Sequence, residues 1–188
     1  MDADTKAIAS WLVGARDAHA AHAFIGDLAA RLANRVQLTS DGHKPNLAAV
    51  EESFWVDIDY AMLIKHHGEP TGALGRYSPG ECIGIEQRRV EGRSDPAHVS
   101  TSYVERANLT VRMSNGRAAR LTNALSKKAK TTPTQWRSTR CTTTSSGIHQ
   151  TLRCTPVMAA GMTTKVWELT DMVKELEDCE AQQRTFTA

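Results

Sequence analysis

The sequence predicts a mixed α/β fold, in which helices cover a short sheet. The first observation is an amphipathic pattern after Asp17, where apolar residues recur with the spacing of one helix face. The second is a pair of β-rich segments, residues 35–39 and 56–65, the latter with a continuous apolar centre. Strands that alternate with helices in this way are typical of an α/β layer.

The amino-terminal elements follow in order. Residues 6–13 contain β-favouring side chains and end at Gly14, which predicts a strand. A helix follows with Asp17 as its N-cap. The apolar positions of that helix are Ala21, Phe24, Ile25, Leu28 and Leu32.

The later elements are predicted with the same rules. Ser40-Asp41-Gly42 is a turn after the 35–39 strand, and residues 46–53 have room for one or two helical turns. Residues 68–100 are rich in Gly and Pro and are predicted to be irregular. Further helices are expected over residues 103–128 and around residues 166–176.

Length and composition limit the class of protein. A chain of 188 residues with 40% apolar residues has room for one domain. Its start is polar and its apolar runs are short, so we expect no signal peptide, no membrane span and a cytoplasmic location. Cys82, Cys141, Cys154 and Cys179 form no C-x-x-C pair, which favours free thiols over zinc ligands or disulfides.

The net charge of +2 hides an uneven distribution of charge. Residues 100–153 contain ten Lys and Arg against one acid, Glu105, whereas residues 164–180 contain six acids against two Lys. Such a basic stretch is either a solvated face or a binding surface for a polyanion such as nucleic acid.

Two carboxylates are candidates for chemistry, and each also has a purely structural interpretation. Asp41 follows a short strand, where α/β folds place reactive side chains, but Asp-Gly is also a common turn dipeptide. Glu105 lies in the first turn of a predicted helix, where an acid complements the helix dipole. An isolated acid among cations also suits a metal ligand that faces phosphate.

Several sequence blocks, read together, resemble a known family. The most specific are T-S-D-G at residues 39–42 and Y-V-E-R-A-N-L-T-V-R at residues 103–112. Supporting blocks lie at residues 35–43, 59–65, 100–112, 120–128 and 148–161. In this order they resemble bacterial DDE transposases of the insertion-sequence-one type, and the resemblance covers nearly the whole chain.

The resemblance implies a ribonuclease-H-like mixed sheet flanked by helices. In the family, three carboxylates bind two Mg²⁺ ions, about 3.5–4 Å apart, that activate an attacking oxygen against a DNA phosphodiester. Asp41 matches the second carboxylate and Glu105 the third, as catalytic residues and metal ligands. The implied partners are transposon-end DNA in the bacterial nucleoid, and a second copy or a full-length transposase. The implied phosphate contacts are Lys44, Arg106, Arg112, Arg117, Arg120, Lys127 and Lys128.

The sequence departs from the family at its amino end. Residues 1–6 match the turn between the family's second and third strands, so the first strand and most of the second are expected to be missing. The first catalytic Asp is missing with them, and Asp2 and Asp4 match turn positions. We therefore expect Mg²⁺ binding and catalysis to be impaired in this copy.

A second departure is internal. Ten of the sixteen residues 131–146 are Thr or Ser. If each codon's third base is joined to the first two bases of the next codon, residues 130–147 can encode an amphipathic helix that leads into Ile148-His149-Gln150. A genuine Thr/Ser-rich linker is the alternative. The expected division is a partial catalytic core at 1–128, an out-of-frame disordered segment at 129–147 and a helical segment at 148–188.

The sequence therefore predicts a truncated and internally frameshifted remnant of a DDE transposase, whose intact relatives transpose DNA by Mg²⁺-dependent strand transfer. A non-catalytic DNA-binding protein that competes with full-length transposase is the alternative. A third possibility is a chain that does not fold stably.

Overall fold

The computed structural model describes residues 1–68, 80–114, 138–175 and 177. The chain divides into two compact units, one formed by Ser10–Glu105 and the other by Met1–Ala9 together with Arg106–Ala188. The first unit contains a three-stranded mixed sheet with helices, which confirms the α/β class. Among the described residues, no helix is both long and apolar enough to cross a membrane.

The elements of the first unit follow one another closely along the chain. They are α1 (Ala18–Arg31), β1 (Gln37–Ser40), α2 (Pro45–Phe54), β2 (Asp59–His67) and β3 (Cys82–Glu91), followed by a 3₁₀ turn at Pro96–His98. Helix α3 (Ser102–Ser114) begins at the end of this unit. The predicted helix over residues 103–128 is therefore confirmed as far as residue 114, and the rest of that prediction lies outside the described residues.

Helix α1 begins where the sequence predicts. The Asp17 side chain accepts a hydrogen bond from the Ala20 backbone N–H at 2.8 Å, which satisfies one of the free donors of the first turn. Ala21, Ile25 and Leu28 are buried on one face of the helix. Their spacing of three and four residues is the period that predicted the helix.

The sheet has the order β1-β2-β3. Strands β1 and β2 are parallel and are joined by α2, as a parallel pair requires a crossover connection. Strands β2 and β3 are antiparallel. Strand β3 lies within residues 68–100, which the sequence predicted to be irregular, so that prediction was wrong for residues 82–91. Its residues are almost all exposed, and pairing with β2 rather than apolar burial gives it strand structure.

The two faces of β2 contact different parts of the unit. Ile58, Tyr60 and Met62 belong to a buried cluster with residues of α1 and α2. Ala61 and Leu63, at the alternate positions of the strand, pack with Val99. Because side chains alternate across a strand, this divides the sheet into a face covered by α1 and α2 and a second face that contacts the chain around Val99.

The predicted strand at residues 6–13 is not formed, although the structure describes all of these residues. The carbonyl of Ile8 accepts a hydrogen bond from Arg140 Nη2 at 2.8 Å. β-Favouring residues form a strand only where a partner strand supplies the ladder, and here a side chain satisfies the backbone instead.

The described part of the Thr/Ser-rich segment is helical. Residues 138–141 are α-helical and Thr142–Ser146 form a π-helical turn. Hydroxyls of Thr142 and Thr143 bond to the carbonyls four residues earlier, both at 2.9 Å, which is how such side chains fit into a helix. Residues 129–137 of the segment predicted to be disordered lie outside the described residues.

Two further helices follow in the second unit. A single turn spans Pro156–Ala159, capped by Thr155, and residues 169–175 are helical. The last helix was predicted to begin near residue 166. It begins later because Asp171 accepts from the Glu168 backbone N–H at 3.0 Å, which caps the first turn at that point.

Candidate functional site

Asp41 lies directly after β1, as the sequence predicted, and its side chain is 60% exposed. One carboxylate oxygen accepts a hydrogen bond from the His43 backbone N–H at 3.2 Å, which is the geometry of an Asx turn. The other accepts from Arg16 Nη2 at 3.3 Å. Asp41 therefore both shapes the turn and forms an ion pair at the surface.

Glu105 lies in the first turn of α3, and its side chain is 53% exposed. Its Oε1 atom accepts from Lys65 Nζ at 2.5 Å and from Thr101 Oγ1 at 2.7 Å. The hydrogen bond from Lys65, followed by that from Thr101, lowers the pKa of Glu105 below its usual value. The carboxylate is therefore fully charged near neutral pH and is already paired with a cation.

Both carboxylates lie towards the carboxyl end of β2. Ser40, the last residue of β1, is aligned with Met62 of β2. A methyl group added to Gly42 would lie 3.2 Å from Ile64 Cγ1, so the turn that contains Asp41 runs close beside this end of β2. Lys65, the partner of Glu105, is the next residue of the strand. Asp41 and Glu105 thus both lie beside the last residues of β2, but on different faces of the sheet and against different cations.

The sequence did not predict the two cations that complete this arrangement. Arg16 lies 25 residues before Asp41, and nothing in its local sequence marks it as a partner. Lys65 carried a usable signal, because it follows Ala61 and Leu63 at every second position of β2 and so lies on the face opposite α1 and α2.

A second cluster of charges lies at the opposite end of β2. Asp59 accepts from Arg35 Nη2 at 2.8 Å, from Arg35 Nε at 3.2 Å and from the Arg93 backbone N–H at 2.7 Å. These hydrogen bonds lower the pKa of Asp59 from 3.8 to about 2. The cluster joins the start of β2 to the end of β3, so we assign it a structural role. Its sequence signal was limited to Asp57 and Asp59 at alternate positions.

We expect Asp59→Asn to lower the thermal midpoint of unfolding at pH 7 by several degrees. The folded-state pKa of Asp59 lies below its unfolded value, so its contribution is present above pH 4 and is lost as the pH falls towards about 2. The variant should therefore lose less stability than the native chain over that range. Thermal unfolding followed by circular dichroism between pH 7 and pH 2 measures both effects.

Asp57→Asn is the matched control, since the Asp57 side chain is 79% exposed and lies 3.5 Å from the same arginine. Its midpoint should stay close to the native one at every pH. Equal shifts in the two variants would contradict a specific role for Asp59.

The predicted phosphate contacts are only partly described. Lys44, at the N-cap of α2, and Arg106 and Arg112, on α3, are exposed. Within the described ranges none of these three side chains forms an ion pair with a carboxylate. The other predicted contacts lie outside the described residues, and they are Arg117, Arg120, Lys127 and Lys128.

No protein-family model matches this chain, and neither a curated protein nor a solved structure matches it significantly. The function is therefore inferred from the sequence motifs and from the geometry around Asp41 and Glu105.

Proposed function

We propose that this chain is a remnant of a bacterial DDE transposase of the insertion-sequence-one type, and that it does not itself carry out strand transfer. The observation that supports the family assignment most directly is that Asp41 and Glu105, the two residues that match the family's carboxylates, both lie beside the last residues of β2. Ligands and reactive groups of α/β folds are concentrated at the carboxyl ends of parallel strands. The mixed sheet is compatible with the ribonuclease-H-like fold that the motifs imply.

The residues present do not fit a two-metal centre. Mg²⁺ requires close to six oxygen ligands in octahedral geometry, and two adjacent ions require several shared carboxylates. Among the described residues, no group of three or more His, Cys, Asp or Glu side chains is arranged to bind a metal. Asp41 and Glu105 are paired instead with Arg16 and Lys65. We therefore derive no catalytic step through Mg²⁺ for this chain.

The coding DNA tests the remnant hypothesis directly. If residues 130–147 arose by a change of reading frame, the nucleotides across those codons should encode, in the shifted frame, an amphipathic helix that continues into Ile148-His149-Gln150. A shifted frame interrupted by stop codons, or one that encodes a polar sequence without helical periodicity, would contradict the frameshift.

A second candidate function is non-catalytic DNA binding, in competition with a full-length transposase. It is favoured by Lys44, Arg106 and Arg112, which are exposed and form no ion pair with a described carboxylate. Arg and Lys contacts to phosphate position a protein on DNA without reading the base sequence. Binding of this kind needs no metal, so the ion pairs of Asp41 and Glu105 do not interfere with it.

We expect the chain to bind duplex DNA of any sequence with an affinity that falls as salt rises. Each phosphate contact adds about −0.9 to the slope of log affinity against log salt, because counterions are released. Arg106→Ala and Arg112→Ala should each make the slope shallower by about 0.9 if that side chain contacts phosphate. Fluorescence anisotropy of a labelled duplex at several salt concentrations measures the slope.

Arg31→Ala is the control, because the Arg31 guanidinium already donates two 2.8 Å hydrogen bonds to Asp27. Its slope should equal that of the native chain. A slope near zero for the native chain, or no binding at low salt, would rule out the DNA-binding candidate.

A further inference from the structure

The outer edge of β3 is the most exposed strand edge that the structure describes. Strand β3 lies at the end of the sheet, and in the described ranges no strand pairs with its outer side. It is ten residues long, and all of its residues except Gly84 are exposed. A long edge strand has a row of unpaired N–H and C=O groups, so it is a template for pairing with another strand.

The regular part of β3 is limited to residues 84–89. Over these six residues each position is aligned with one residue of β2, from Arg89 opposite Ala61 to Gly84 opposite His66. The register shifts on both sides of this stretch. Such irregularities bend a strand and end its pairing surface, so a partner strand can align without interruption only over residues 84–89.

The charges within this stretch are complementary to those of a second, antiparallel copy of the same strand. Glu86 and Arg88 are opposite Ile64 and Met62 of β2, so both side chains are on the same face of the sheet, with Gln87 between them on the other face. Glu86 lies 3.3 Å from His66, whereas Arg88 forms no ion pair with a described residue.

A second copy of β3 can pair antiparallel with the first about a two-fold axis perpendicular to the sheet. This symmetry leaves each side chain on the same face of the joined sheet. Residues opposite each other must then share a face, so the pairing is centred on a residue and not between two residues. The register centred on Gln87 places Glu86 opposite Arg88 twice. The register centred on Glu86 opposes two glutamates, and the register centred on Arg88 opposes two arginines. Like charges directly opposite each other are destabilising, and a register centred on Ile85 pairs only residues 84–86 of the uninterrupted stretch, so the register centred on Gln87 is favoured.

We propose that this chain forms a homodimer in which the β3 strands of two copies pair antiparallel about Gln87. The two three-stranded sheets then form one sheet of six strands. Ile85, which is 60% exposed in one copy, then lies opposite Arg89 of the other. Edge strands that are protected from pairing carry charges that repel a second copy. The alternation of Glu86 and Arg88 has the opposite effect.

Analytical ultracentrifugation of the full chain tests the proposal. The native chain should show a concentration-dependent monomer–dimer equilibrium. Glu86→Arg and Arg88→Glu each convert two attractive pairs into two repulsive ones, and each should weaken dimerisation by about tenfold or more. Because both side chains are exposed, circular dichroism should show folded variants. Glu51→Arg, at an exposed position on α2, makes the same charge change away from β3 and should dimerise like the native chain.

Mixing the two single variants provides the decisive result. The arginine introduced by Glu86→Arg in one copy then faces the glutamate introduced by Arg88→Glu in the other. The native Arg88 of the first variant likewise faces the native Glu86 of the second, so the mixture should form heterodimers at concentrations where each variant alone is mostly monomeric. The doubly reversed variant, Glu86→Arg with Arg88→Glu, should dimerise like the native chain. A native chain that stays monomeric, charge reversals without effect, or a mixture that stays monomeric would each overturn the proposal.

Discussion

Replacing Ile58 by alanine is expected to lower the free energy of unfolding by about 2–5 kcal/mol. The Ile58 side chain is 0% exposed and lies in the cluster that packs α1 and α2 against the sheet. Truncation removes buried methyl and methylene groups and leaves a cavity that the surrounding side chains fill only in part. Domains are stable by only about 5–15 kcal/mol, so this loss is a large part of the total. Urea unfolding followed by circular dichroism measures it.

Val56→Ala is the matched control two residues earlier in the chain. The Val56 side chain is 73% exposed, so its removal should change the free energy of unfolding by less than about 0.5 kcal/mol. Similar effects of the two substitutions would show that the buried cluster does not stabilise the unit in the way that its packing indicates.

Local sequence patterns predicted the elements whose structure depends on local chemistry. Helix α1 combines an N-cap at Asp17 with an apolar face of helical period, and both signals lie within the helix itself. The centre of strand β2 is buried on both faces of the sheet, and its continuous apolar run is the composition that such strands require. In both cases the signal that predicts the element lies within the element's own sequence.

Elements that depend on distant partners were predicted poorly. Strand β3 contains Gly84 and several charged residues, and it is a strand because β2 supplies the hydrogen-bonding partners. Residues 6–13 show the reverse case, since their β-favouring side chains have no partner strand among the described residues. Strand propensity reflects packing against neighbours more than an intrinsic backbone preference.

The candidate site divides in the same way. The positions of Asp41 after a strand and of Glu105 at a helix start were predictable from the residues around them. Their ion pairs with Arg16 and Lys65 link segments 25 and 40 residues apart in the chain, so local patterns, which indicate at most the face on which Lys65 lies, could not indicate the pairing. These distant contacts matter for the chemistry, because each pairs a cation with a carboxylate that the motifs assign to metal binding.

The purified chain is expected to produce no joined DNA in a strand-transfer assay with Mg²⁺ or Mn²⁺. A metal ion at this sheet edge would have to displace Lys65 from Glu105 and Arg16 from Asp41. The hydrogen bonds from Lys65 and Thr101 that lower the pKa of Glu105 are the contacts that such an ion would replace. Two carboxylates would still leave two hard cations short of protein ligands.

The assay uses the full chain, a duplex with a recessed or blunt end, and sequencing gels that resolve joined products. Arg16→Ala combined with Lys65→Ala frees both carboxylates and is still expected to give no product, because it removes the competing cations without adding a ligand. Product from that variant alone would show that the ion pairs, rather than an incomplete ligand set, prevent metal binding. Metal-dependent product from the native chain that disappears in Asp41→Ala would overturn the proposal of an inactive remnant, because only a carboxylate that takes part in the reaction would be required in this way.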